Sequence, residues 1–94
     1  MRLSHTEKAA LDYAISGLTD KVYLFGSRTI DSKKGGDIDI LIFSTLSAYT
    51  LSKSVAVKFF SRCESKIDVI VINPNGISPQ QQAFINEISL IQLK

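Results

Sequence analysis

The chain has one cysteine, one histidine, two prolines and no tryptophan. A single thiol, Cys63, cannot close an internal disulfide, which fits a reducing, cytoplasmic setting. His5 stands alone near the start and reads as a surface residue. No run approaches the roughly 18 apolar residues that a membrane helix needs, so no membrane span is expected. Met1-Arg2-Leu3-Ser4-His5 also lacks the apolar core of a signal peptide. Charge of one sign is scarce too: eleven lysines and arginines against nine acids leave +2. The basic residues are scattered and Lys33-Lys34 is their only adjacent pair, so nucleic acid is not expected as a partner, because such binding needs a clustered basic face. No repeat, low-complexity segment or internal linker is visible. What remains is one small globular domain, residues 1–94, able to bury a modest core.

Periodicity divides that domain into elements. Ser4 with Glu7 three residues on reads as a capping box, and Leu11, Ala14, Ile15 and Leu18 keep helical spacing, so residues 5–16 are predicted as a helix ended by Gly17. Val22–Phe25 is a short strand. The polar stretch from Arg28 to Gly36 is a loop or short helical turn. Ile38–Phe43 is apolar on both faces and is predicted as an interior strand. Between residues 46 and 63, Ser52, Val55, Ala56, Phe59, Phe60 and Cys63 follow one helical stripe. Ile67–Ile72 is a third strand, stopped by Asn73-Pro74-Asn75-Gly76. Ser78-Pro79 with Gln81 opens a last helix with Phe84, Ile85 and Ile88 on its apolar face. Ser89–Leu93 fits either a final strand or a continuation of that helix. A helix between the second and third strands implies a right-handed parallel crossover, and the loop between the first two allows antiparallel pairing. The expected fold class is α/β (α+β): a small mixed sheet flanked by helices.

Three residue types in this frame carry chemistry. Gly26-Ser27 follows the first strand, Asp37 and Asp39 open the second, and Asp68 interrupts the apolar third. Alternation points Asp37 and Asp39 the same way, roughly 7 Å apart, while Ile38 and Ile40 face the core. A third strand lying beside the second brings Asp68 to the same place. Three carboxylates together repel unless a cation sits among them, and hard oxygen donors favour magnesium, which completes its shell with water and substrate phosphates. Two such ions suit an in-line displacement on a nucleoside triphosphate. Gly26 would let the backbone approach the triphosphate, and Ser27 would offer its hydroxyl and N–H. Arg28 reads either as a bidentate phosphate donor or as a solvated loop residue. Asp68 is expected to be buried, with an ion pair to Arg28 or Lys66 as the alternative reading. Lys33 and Lys34, Asp12, Asp20, Asp31 and Glu64 read as solvated charges. Phe59, Phe60, Phe84 and Cys63 read as core, and Tyr13, Tyr23 and Tyr49 form no pattern.

Phe25-Gly26-Ser27-Arg28 followed by Asp37-Ile38-Asp39, with Ile67-Asp68-Val69 later, resembles the signature of the minimal nucleotidyltransferase (MNT) family of the DNA polymerase beta superfamily. The resemblance extends over roughly residues 20–73. It implies that Asp37 and Asp39 bind both metals and that Asp68 binds one and helps deprotonate an acceptor hydroxyl. Gly26 and Ser27, with Arg28, would hold the triphosphate. It further implies transfer of a nucleoside monophosphate, AMP from ATP above all, to a hydroxyl. The family's frequent partner is a HEPN-type toxin that the nucleotidyltransferase neutralises as antitoxin; the alternative is a catalytically silent antitoxin or adaptor that acts by binding alone. A homodimer could also build the acceptor pocket. Two positions depart from many relatives: Thr29-Ile30-Asp31 stand where Ala-Arg-Gly is common, and Gly36 where serine precedes the first aspartate.

Overall fold

The computed structural model describes residues 1–94. Helix α1 (His5–Ile15) begins at the expected capping box: Glu7 N–H donates to Ser4 Oγ at 3.1 Å, and Ser4 N–H donates to the Glu7 carboxylate at 2.9 Å. Its other end has no basic residue in the last turn. Lys94 takes that role from far along the chain, donating to the carbonyls of Ile15 and Ser16 at 2.9 and 2.8 Å, where a helix C-terminus favours a cation. Gly17 is not the terminator that the sequence suggests. It takes no left-handed conformation, and the helix closes one residue earlier on Ser16.

The remaining elements are β1 (Lys21–Phe25), a short 3-10 turn (Gly26–Thr29), β2 (Ile38–Phe43), α2 (Ala48–Phe60), β3 (Ile67–Ile72), α3 (Pro79–Glu87) and β4 (Ile91–Gln92). The strands lie in the order β3-β2-β1-β4. β1 is antiparallel to β2 and to β4, and β2 is parallel to β3. The connections dictate this: a parallel neighbour needs a long crossover, and α2 supplies it. The undecided segment at Ser89–Leu93 becomes the two-residue edge strand β4. The class is thus α+β, a mixed sheet flanked by three helices.

Alternation along the strands separates two apolar layers. Val22, Leu24, Ile38, Ile40 and Ile42 face α1 and α2, and with Leu11, Val55 and Phe59 make the larger cluster. Phe25, Leu41 and Ile72 face α3, roofed by Phe84, Ile85 and Ile88, with the Phe25 and Phe84 rings edge-to-face at 5.4 Å. Asp39 and Asp68 fall on this second face; Asp39 is half-buried, Asp68 exposed.

The expected stripe on α2 is rotated by about one residue. Leu51, Val55 and Phe59 are the residues that enter the core, a row at i, i+4 and i+8. Phe60 lies about 100° further round and is 48% exposed. The neighbouring phenylalanines therefore separate in mutation. Phe59→Ala should lower the unfolding free energy in urea by ~3–5 kcal/mol, whereas Phe60→Ala should cost less than about 1 kcal/mol.

Candidate metal and triphosphate site

β1 runs straight into Gly26, whose φ is 77°. An L side chain is strained at that angle, and a Cβ would overlap the Asp39 carboxylate. Thr29 Oγ1 donates to the Gly26 carbonyl at 2.7 Å, and Ile30 N–H donates to the Ser27 carbonyl at 3.1 Å. These two bonds close the 3-10 turn. At the far end of the loop Gly36, with φ 88°, rests on the Ser27 hydroxyl so closely that a Cβ would overlap it. The loop is thereby folded back on the turn, and Gly26, Ser27, Gly36, Asp37 and Asp39 share one corner of the sheet.

Register brings the third acid there. Asp39 is paired with Phe25 on one side and with Asp68 on the other. Partners in neighbouring parallel strands project to the same face. Asp37 stands just ahead of β2, two residues before Asp39, near enough for its charge to act on Asp39. Burial pushes the Asp39 carboxyl above its ordinary value, and the charges of Asp68 and then Asp37 add to the push. The ion pairs of the fold are Met1 with Asp31, Lys8 with Asp12 and Arg28 with Glu7, so none of the three acids is in an ion pair, although the charge of Asp37 reaches Arg28. The three do not come together as one group able to hold a metal ion in this arrangement. Their chemistry, carboxylate oxygens outside any ion pair, is of the kind a hard divalent cation takes. Asp68 corrects one expectation. It is exposed, because β3 is an edge strand and the residue points to the open part of the second face. Burial cost does not explain it, and neither Arg28 nor Lys66 pairs with it.

Arg28 corrects another. It is neither a solvated residue nor a free phosphate donor. Its Nη1 and Nη2 grip the Glu7 carboxylate at 2.8 and 2.9 Å, Nη1 also donates to the Arg2 carbonyl at 2.9 Å, and Nε donates to the Gly36 carbonyl at 3.0 Å. The side chains are only 12% and 9% exposed. The pair therefore ties α1 to the residue immediately before Asp37. Arg2 adds three bonds to the same loop, to the carbonyls of Ile30, Ser27 and Gly35 at 2.8, 3.2 and 2.8 Å. Sequence reasoning took Glu7 only as a helix cap. The missed signal was its position: Ala10, Leu11 and Ala14, at i+3, i+4 and i+7, are all buried, which places Glu7 on the inward stripe.

Beside the turn lies a cleft of about 320 Å³, lined by Gly26, Ser27, Thr29 and Lys33 and faced by Glu87 and Ser89. That is the lower end of small-ligand pockets. Lys33, free of any ion pair, and Glu87 both border it. Neither this cleft nor the largest depression, about 490 Å³ on the outer side of α2, is lined by Asp37, Asp39 or Asp68. Compared with models of known protein families the chain matches none, and no curated protein matches it.

The Glu7–Arg28 pair sets an acid limit on stability. Arg28 first, through its hydrogen bonds, holds the Glu7 carboxyl down at about 2 from 4.5. As pH falls, the unfolded chain takes up this proton before the folded one does, so the stabilisation is complete above about pH 4.5 and is lost as pH approaches 2. Glu7→Gln, which leaves a nearly buried guanidinium without its counter-charge, should cost ~2–4 kcal/mol at pH 7. In thermal melts from pH 7 to pH 2, the gap between wild type and variant should narrow toward the acid end.

Proposed function

We propose that the chain is a magnesium-dependent nucleotidyltransferase that moves a nucleoside monophosphate, AMP from ATP, to a hydroxyl on a partner protein. The observation that carries this reading is the pairing of Asp39 with Asp68 across β2 and β3, neither in an ion pair, with Asp37 two residues ahead and the Gly26-Ser27 turn against Asp39. The MNT resemblance rests on the same residues. Asp37, Asp39 and Asp68 would hold the magnesium pair. When bound, those ions supply charge neutralisation at the triphosphate and at the departing pyrophosphate.

The chain's own groups supply the rest. Gly26 keeps the wall of the cleft free of a side chain, Ser27 offers its hydroxyl to a phosphate oxygen, and Lys33 brings the cation that Arg28 cannot. The acceptor oxygen attacks the α-phosphorus, forming one P–O bond while the bond to pyrophosphate breaks. Asp68, exposed at the sheet edge, receives the acceptor's proton. Its exposure suits an acceptor that arrives from outside. The partner expected from the resemblance, a HEPN-type toxin neutralised by adenylylation, is of that kind.

Two observations favour a second reading, an antitoxin or adaptor that acts by binding alone: Arg28 is locked onto Glu7, and the cleft is small. Neutralisation of the partner that survives loss of all three acids would support it. Transfer is tested with ATP labelled at the α-phosphate, magnesium and the partner protein. Label should appear on the partner and vanish with Asp37→Ala/Asp39→Ala; no label, or equal label from the variant, overturns the reading.

Metal binding has a separate readout. The raised carboxyl of Asp39 means that ionisation opposes folding, so stability is lost as pH rises through its titration. Without divalent cations at pH 7, Asp39→Asn should therefore melt above wild type. Magnesium at about a hundred times its Kd should stabilise wild type by ~2.7 kcal/mol and leave Asp37→Asn/Asp39→Asn unmoved.

A further inference from the structure

Helix α2 has two apolar sides, and the fold covers one. Leu51, Val55 and Phe59 are buried. On the other side Tyr49, Val57 and Phe60 are 73%, 59% and 48% exposed, and Leu46, just before the helix, is 58% exposed. At about 100° per residue, Tyr49, Lys53, Val57 and Phe60 fall within about 80° of one another and face away from the buried row. Single exposed apolar residues are ordinary, but a row of them along one helix marks an interaction surface. A depression of about 490 Å³ between Tyr49, Lys53, Val57 and Lys58 runs beside the row.

The charge that α2 itself carries is one-signed, and an acid close to it is Asp68 of β3, which shares a shallow depression with Tyr49 and Lys53. From Ser44 to Cys63 the chain has no aspartate or glutamate, yet it carries Lys53, Lys58 and Arg62. Lys53 Nζ lies 5.7 Å from the centre of the Tyr49 ring, and Arg62 is stacked on Tyr13 at 4.0 Å. Neither lysine has an acidic partner.

We infer that the outer face of α2 docks an amphipathic helix of a different protein, one whose apolar stripe is edged with acids. The spacing i, i+4, i+8 and i+11 forms a ridge that another helix packs alongside. Acidic edges neutralise Lys53 and Lys58. A second copy does not fit: α2 against α2 would set lysine against lysine. The chain's other helices offer no acidic edge, since Lys8 and Asp12 on α1 pair with each other and α3 presents Gln80, Gln82 and Asn86 with the single acid Glu87. This inference stands apart from nucleotide transfer. If both hold, α2 is where the acceptor protein is gripped.

The probe is a synthetic 20-residue helical peptide with a leucine stripe flanked by glutamates, titrated into the 15N-labelled protein. Its controls are a twin with lysine for each glutamate, vesicles of phosphatidylglycerol and phosphatidylcholine, and a single-stranded RNA oligonucleotide. The glutamate peptide should shift the amides of Tyr49, Lys53, Val57 and Phe60. Lys53→Glu/Lys58→Glu should weaken its binding at least tenfold without moving the melting temperature. Absent shifts, shifts elsewhere, equal binding of the lysine twin, stronger binding of vesicles or RNA, or self-association of the protein through α2 would overturn the inference. Peptide binding should persist in Asp37→Ala/Asp39→Ala, so failure of the transfer reading is separable from failure of this one.

Discussion

A guanidinium and a carboxylate that are both nearly withdrawn from water cannot be parted cheaply, and Arg28 with Glu7 is such a pair. Everything near the candidate site leans on it. Glu7 belongs to the first turn of α1, where it also closes the helix cap. Arg28 belongs to the turn after β1, and its third arm holds the Gly36 carbonyl. One ion pair thus fixes the start of a helix, the exit of a strand and the residue ahead of Asp37. Arg2 secures the same loop by three more carbonyls. A loop rich in glycine and lysine, which would otherwise sample many shapes, is held to one.

Against that rigid side the sheet sets a destabilising one. The β2–β3 register puts Asp39 beside Asp68, and the turn puts Gly26 hard against Asp39. The fold accepts like charges at close quarters although apolar residues would pack there without repulsion. Local sacrifice of stability of this kind gathers at functional sites. It is the physical reason for proposing that the corner has a ligand.

Much of this was legible in the residues. The bounds of β2 and β3, the mixed pairing and both capping boxes followed from periodicity, turn chemistry and connection length. So did the approach of Gly26 to Asp39 and the pairing of Asp39 with Asp68, although the three acids do not close on one point. The errors share one cause: what a side chain meets across space is not written in its neighbours. Asp68 looked buried because its strand is apolar, yet β3 is an edge. Phe60 looked like core because Phe59 is, but one residue on a helix is more than a quarter-turn. Arg28 looked like a phosphate ligand because its partner, Glu7, lies a whole strand and helix away.

The crossover through α2 has a kinetic meaning. β1 and β2 can pair through a loop, and neither needs β3 to do so. Asp39 and Asp68 come together only once α2 has folded across and β3 has docked in parallel, a non-local step that chains reach slowly. The repulsion between the acids is thus felt only once β3 has docked against β2. If β3 docks after the rate-limiting barrier, a cation that relieved it would slow escape from the folded state more than it hastened arrival there. Metal binding at this corner would then appear as persistence rather than speed: a domain that folds at its own pace and, once loaded, stays folded longer.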